Sequence, residues 1–116
     1  MDLDLSAPHT NEKFGQFLRA LTTDAAGKTL IKGISAKEVT INPPSLATTA
    51  DGSTTGAFPG AVVGDGVILI PSLDMQEISY SGYVSAADTI EVVFYNSGSG
   101  TVDLASGTWV AIVLHR

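Results

Sequence analysis

The chain has 116 residues and a mass of 12.0 kDa, which suffices for one compact domain but not for two ordinary ones. Hydrophobic residues make up 44% and charged residues only 16%, a balance that excludes a disordered tail and a nucleic-acid-binding domain. There is no cysteine, so disulfides, thiolate nucleophiles and sulfur-ligated metals are excluded as well.

The net charge of -6 is unevenly distributed along the chain. Up to Glu38, five acidic residues balance five basic ones, whereas the remainder carries seven acidic residues and a single basic one, Arg116. An acidic body repels phosphate backbones and anionic lipids, so we expect neither a nucleic-acid nor a membrane partner. Because the chain lacks the basic start and apolar stretch of a secretory signal, we also expect synthesis in the cytosol.

Residues 1–35 are predicted to form an N-terminal arm that contains a short helix. Four apolar residues recur there at the i, i+3, i+4, i+7 spacing of one helix face: Phe14, Phe17, Leu18 and Leu21. With Gly15 in its middle, the helix is limited to about two or three turns, which is marginal without a surface to pack on. The stripe therefore either docks on another protein or closes one end of the chain's own β-structure.

Residues 36–116 are predicted to form an all-β body, either a β-sandwich or a jelly roll. Short apolar runs broken by Gly, Pro, Ser and Asp are typical of that class. A long exposed loop is expected over 45–56, where Ser, Thr, Ala and Gly dominate. The predicted strands, the first of them in the arm, are Thr29–Lys32, Lys37–Ile41, Ala57–Val63, Val67–Ile70, Ile78–Val84, Thr89–Asn96 and Thr108–His115.

The strand Val67–Ile70 is predicted to be central in its sheet. It shows no polar alternation, which indicates that both of its faces are covered. The preceding Gly64-Asp65-Gly66 predicts a hairpin turn that joins it to the strand before it.

The last two predicted strands are apolar on both faces, with Trp109 expected in the core. A sandwich buries one face of each strand, so the second apolar face indicates contact with a neighbouring subunit or with the arm. We therefore favour a homo-oligomer, a trimer ahead of a dimer. The outward-facing candidates for the oligomer interface are Tyr83, Val93 and Tyr95.

Candidates for catalysis or metal binding are few. The only histidines, His9 and His115, lie at opposite ends of the chain and are expected to be solvated, so no metal site and no cofactor is predicted. Asp51 and Asp65 precede glycines and are expected in turns rather than at a calcium ion. A serine triad would have to recruit one of the two histidines, and no G-x-S-x-G motif occurs, so we predict no enzymatic activity.

Four stretches of the body resemble small β-sandwich domains encoded among the virion genes of tailed bacteriophages. They are INPPSL at 41–46, PGAVVGD at 59–65, GYVSAADTIEV at 82–92 and DLASGTW at 103–109. The resemblance lies in the succession of strands and turns and includes no catalytic motif. It implies a capsid decoration, or cement, protein: a jelly-roll-like body on the outer shell, often a trimer.

The leading functional hypothesis is a non-enzymatic virion protein that binds the major capsid protein on the capsid surface and stabilises the shell. Residues 1–35 would attach it, with the apolar stripe as the anchor and with Lys13 and Arg19 as steering charges.

The alternative hypothesis is a receptor- or carbohydrate-binding module of a tail fibre or spike. It would use Tyr80, Tyr83 and the loop at 45–56. A glycan hydrolase is a third reading, but the carboxylate spacing supplies no credible pair for it.

Overall fold

A computed structural model describes residues 22–116 of the chain. The chain divides into two compact units, Met1–Lys32 and Gly33–Arg116. The second unit contains six strands: β1 (Gly33–Ile41), β2 (Asp51–Ala57), β3 (Gly66–Ile70), β4 (Ile78–Ala86), β5 (Thr89–Asn96) and β6 (Gly107–His115). The predicted arm helix and its functional candidates lie outside the described residues: Lys13, Phe14, Phe17, Leu18, Arg19 and Leu21.

The strands form two antiparallel three-stranded sheets. Sheet 1 has the order β1-β6-β3 and sheet 2 the order β2-β5-β4, so the long apolar strands β6 and β5 are central. No residue of 23–116 is helical. The predicted all-β class is confirmed, in an arrangement consistent with a β-sandwich.

One hydrophobic core lies between the sheets. Alternate residues of β6 and β5 supply its centre, because successive side chains of a strand point to opposite faces. Trp109 is fully buried, and its ring meets that of Phe94 edge-on at a centroid distance of 6.1 Å. The other fully buried large side chains are Phe58, Ile41, Ile90, Val92, Val113 and Asn96.

Strand β2 corrects the predicted loop over 45–56, which is wrong from Asp51 onwards. Its inward positions hold small residues because side chains of neighbouring segments fill the space in front of them. A Cβ on Gly56 would collide with the Val39 side chain, and one on Gly52 would lie 2.9 Å from Pro44. Side chains from outside β2, such as Val39, fill the core in front of this strand. The sequence of β2 therefore has no apolar run that would identify it as a strand.

The prediction of a strand over Ala57–Val63 is also corrected: Ala57 is the last residue of β2, and the residues after it form two turns. Ala61 N–H donates to the Phe58 carbonyl at 3.1 Å around Pro59 and Gly60, and Gly60 has a φ of 95°. Proline followed by a positive-φ glycine is the signature of a type II turn. The turn packs on the β4–β5 connection, where Asp88 Oδ1 accepts a bond from Gly60 N–H at 2.8 Å.

Strand β3 lies at the edge of sheet 1, so its predicted central position is wrong. Ile68 and Ile70 are 49% and 50% exposed on the outer face. The predicted hairpin at Gly64-Asp65-Gly66 is wrong as well, because no strand precedes the turn and β2 pairs in the other sheet. A continuous apolar run in a strand therefore does not by itself show that both faces of the strand are buried.

Within the first unit, residues 23–32 form a turn rather than the predicted strand Thr29–Lys32. Asp24 Oδ1 accepts bonds from the backbone N–H groups of Ala26 and Lys28 at 3.0 and 2.8 Å. The pairing there is limited to an isolated bridge between Thr23 and Thr29. The first ladder strand, β1, then starts at Gly33, four residues before the predicted start.

Candidate functional site

The outer face of sheet 1 carries a continuous set of aliphatic side chains, which we call the aliphatic face. The antiparallel registers place Ile34 beside Leu114, Ile112 between Ala36 and Ile68, and Val110 beside Ile70. All of them are exposed or half-buried, and Ile34 is 44% exposed. Patches of this kind on a small domain mark contact sites, because exposed apolar surface gains free energy when it is removed from water.

Part of this face is evident in the sequence. The second face of β6 is apolar there, but the predicted oligomer contact is Tyr83, Val93 and Tyr95. That prediction does not include Ile68 and Ile70, because β3 is predicted to be covered on both sides. Only the pairing of β3 with β6 brings these side chains beside Ile112 and Val110.

The outer face of sheet 2, which we call the tyrosine face, differs in chemistry. Tyr83 and Tyr95 point outward as predicted and are 47% and 44% exposed. Tyr83 donates a 2.6 Å hydrogen bond to Glu91, and this bond, with desolvation and the charge of Glu91, raises the pKa of Tyr83 above its ordinary value. Val93 lies between them in β5; the interface role of all three stays a prediction.

A shallow depression of about 330 Å³ lies on the tyrosine face. Its lining includes Asp51, Ser79, Ser81 and Tyr95, which offer one carboxylate, two hydroxyls and an aromatic ring. Tyr80, which was grouped with Tyr83 as a binding pair, points to the other face of β4 and meets Trp109 edge-on at 5.6 Å. The two tyrosines therefore do not form one platform.

A chain of hydrogen bonds joins three side chains at one end of sheet 1. His115 Nδ1 lies 2.9 Å from Asp65 Oδ2, and its Nε2 lies 2.9 Å from Ser35 Oγ. Because a carboxylate can only accept, Nδ1 carries the proton, and Nε2 of the neutral ring then accepts from the Ser35 hydroxyl. The side chains of His115 and Asp65 are 26% and 7% exposed.

Asp65 is held by main-chain donors as well as by His115. Its Oδ2 accepts from Val62 N–H at 3.1 Å and its Oδ1 from Arg116 N–H at 3.2 Å. Desolvation raises the pKa of Asp65, but these bonds and the His115 ring together outweigh it and hold the pKa below its ordinary value. The carboxylate thus ties the last residues of β6 to the turn before β3.

The expectation that His115 is solvated is wrong, since its ring is paired on both nitrogens. The sequence contained a usable signal: His115 follows Trp109, Ala111 and Val113 at the spacing of the inward face of β6. Ser35 carried no signal, because only the pairing of β1 with β6 brings it to the histidine. His9 lies outside the described residues.

Within residues 22–116, no three His, Asp or Glu side chains come together as metal ligands, and no helix is long and apolar enough to cross a membrane. Comparison with protein-family models, with curated proteins and with solved structures finds no match.

Proposed function

We propose that this chain is a structural protein of a tailed-phage capsid, a decoration protein that assembles with copies of itself on the shell. The observation that carries the proposal is the aliphatic face, which gives a small domain a surface suited to a protein neighbour. The phage assignment rests on the four resembling stretches, and attachment to the major capsid protein is assigned to residues 1–35.

The partner on the aliphatic face is a second copy of the chain. With a net charge of -6, two copies repel each other wherever their acidic residues meet. Among the strand residues, the aliphatic face carries one charge, Glu38, whereas the tyrosine face carries Asp51 and Glu91. The aliphatic face is therefore the sheet surface on which two acidic copies meet with less repulsion and bury more apolar area.

The capsid assignment is tested by counting this chain in purified phage particles by quantitative mass spectrometry against the major capsid protein. We expect an abundance comparable to that of the shell protein. A few copies per particle would point to the tail instead, and absence from the particle would contradict a virion role.

Attachment is tested by adding purified protein back to particles that lack it. We expect deletion of residues 2–21 to abolish binding while the circular dichroism of the β-body is retained. Undiminished binding of the deletion variant would contradict the role of the arm.

A second candidate function is carbohydrate recognition on the tyrosine face. The depression there combines Tyr95, Asp51 and two serine hydroxyls, and an aromatic ring beside polar groups is suited to a sugar ring. Binding on a glycan array that Tyr95→Ala removes would support this function. An array without a hit for the wild-type protein would count against it.

A further inference from the structure

The hydrogen-bonded chain at the end of sheet 1 has the order of a nucleophilic triad. We propose that Ser35 is a nucleophile activated by His115 and oriented through Asp65, and that it accepts acyl groups from small carboxylic esters. This activity is additional to the structural role and does not depend on the capsid assignment.

The first requirement, a base in contact with the nucleophile, is met by His115. Its Nε2 is 2.9 Å from Ser35 Oγ, within the range for a proton transfer between the two atoms. The ring is 26% exposed, so a small molecule can reach its edge from solvent. Gly33 adds to this access because it has no side chain. A Cβ at this position would lie 3.3 Å from His115 Cδ2 and would crowd the ring.

The second requirement, a group that fixes the ring, is met by Asp65. Bonding of Nδ1 to the carboxylate leaves Nε2 free to accept the serine proton, which is the tautomer that a general base needs. The backbone N–H groups of Val62 and Arg116 keep the carboxylate in place and ionised. The carboxylate thereby also stabilises the imidazolium that forms when the ring takes up the proton.

The third requirement, stabilisation of the oxyanion, falls to β1 itself. The Lys37 ammonium, two residues along β1, lies 5.7 Å from the centroid of the Phe58 ring, so the donors must come from the main chain. Because β1 is an edge strand, alternate backbone N–H groups along it point away from β6 and have no ladder partner within residues 22–116. These main-chain groups are the candidate donors to the oxyanion.

The reaction balances with water as the only co-reactant. Ser35 Oγ attacks the ester carbonyl carbon while His115 Nε2 takes the hydroxyl proton; the carbon–alkoxide bond then breaks, and the imidazolium returns the proton to the departing alcohol. Water hydrolyses the resulting acyl-Ser35 by the same route in reverse, giving the carboxylic acid and regenerating the hydroxyl.

The sequence predicts no serine catalysis, because any triad would need a histidine from one end of the chain. The fold supplies that histidine: β6 carries His115 back beside β1, and the turn before β3 places Asp65 behind it. Residues 35, 65 and 115 are far apart in the chain and form no motif.

The test treats the full-length wild-type protein with a fluorophosphonate probe and, separately, with p-nitrophenyl acetate. Intact-mass and peptide mass spectrometry then locate the adduct. We expect one phosphonyl group and a transient acetyl group on Ser35. A folded wild-type protein without an adduct on Ser35 would overturn the proposal, and this result requires no variant to fold.

Variants separate an activated serine from a merely accessible one. We expect Ser35→Ala to remove the adduct, His115→Gln to slow labelling by about 100-fold or more, and Asp65→Asn to slow it by at least about 10-fold. Ser53→Ala, at an exposed serine on the tyrosine face, is the matched control and should label like the wild type. Labelling of Ser35 at an unchanged rate in a folded His115→Gln variant would contradict activation.

Discussion

The two sheets of this protein bury similar inner faces but present opposite outer faces. On sheet 1 the residues that point outward from the central strand are Val110, Ile112 and Leu114, whereas on sheet 2 they are Glu91, Val93 and Tyr95. The two inner faces are alike in being apolar, because both pack into the same hydrophobic core. The outer faces differ in chemistry: the outer face of sheet 1 is aliphatic, whereas that of sheet 2 carries charged and hydroxyl groups.

The largest difference in stability is expected between two variants that place a carboxylate on opposite faces of β6. Val113→Asp puts an unpaired charge at a fully buried position, and we expect it to cost about 4 kcal/mol or more, enough to unfold a small domain. Leu114→Asp, one residue later on the aliphatic face, should cost about 1 kcal/mol and disperse the oligomer instead. Urea unfolding of the two variants measures the difference; equal losses would contradict the assignment of faces.

A smaller effect is expected where the sheets approach each other. A methyl group on Gly56 would collide with Val39 and lie 3.2 Å from Ile41 Cδ1, so Gly56→Ala should cost about 1–3 kcal/mol. Gly100→Ala is the control, because a Cβ there meets nothing within 4 Å. Urea unfolding checks both. A cost for Gly100→Ala that matches that of Gly56→Ala would mean that close sheet packing is not the cause.

The pH dependence of stability tests the anchoring of Asp65 at the end of sheet 1. Its pKa is lowered on folding, so its contribution is present above the ordinary value of 3.8 and is lost as the pH falls through the lowered pKa. Asp65→Asn lacks this contribution. We therefore expect the difference in unfolding free energy between the wild type and the variant to shrink as the pH falls below 3.8, which urea unfolding at a series of pH values measures. A difference that grows in acid would contradict the assignment.

The smallest effect concerns the tyrosine face. Because the bond to Glu91 raises the pKa of Tyr83 above 10.0, Glu91→Gln should bring it back toward that value. The shift appears as the difference between the ultraviolet titration curves of the wild type and the variant. The oligomer should be unaffected, and its dissociation in this variant would move the subunit contact to sheet 2.

Patterns within single strands were predictable from the sequence. The alternation in β4, β5 and β6 correctly assigned Trp109 to the core and Tyr83 and Tyr95 to the surface, because side-chain direction follows directly from strand parity. Pro59-Gly60 could also have been recognised, since that dipeptide is a turn signature, yet the apolar residues around it outweighed it.

Features that depend on pairing between strands were not predictable. Strand β2 has no apolar run because Val39 and Ile41 fill its share of the core, and the edge position of β3 follows only from its pairing with β6. The same limit applies to the candidate sites. Ile68 joins the aliphatic face, and Ser35 meets His115, through registers that one-dimensional patterns do not contain.

Sedimentation velocity of two matched variants tests the central claim most directly. Ile112 and Val93 are both half-buried aliphatic residues at the middle of a central strand, one on each outer face. The account predicts that the wild type and Val93→Lys sediment as an oligomer, while Ile112→Lys sediments as the 12.0 kDa monomer with its β-structure intact. A monomeric wild type, or an oligomer that Val93→Lys disperses and Ile112→Lys leaves intact, would contradict it.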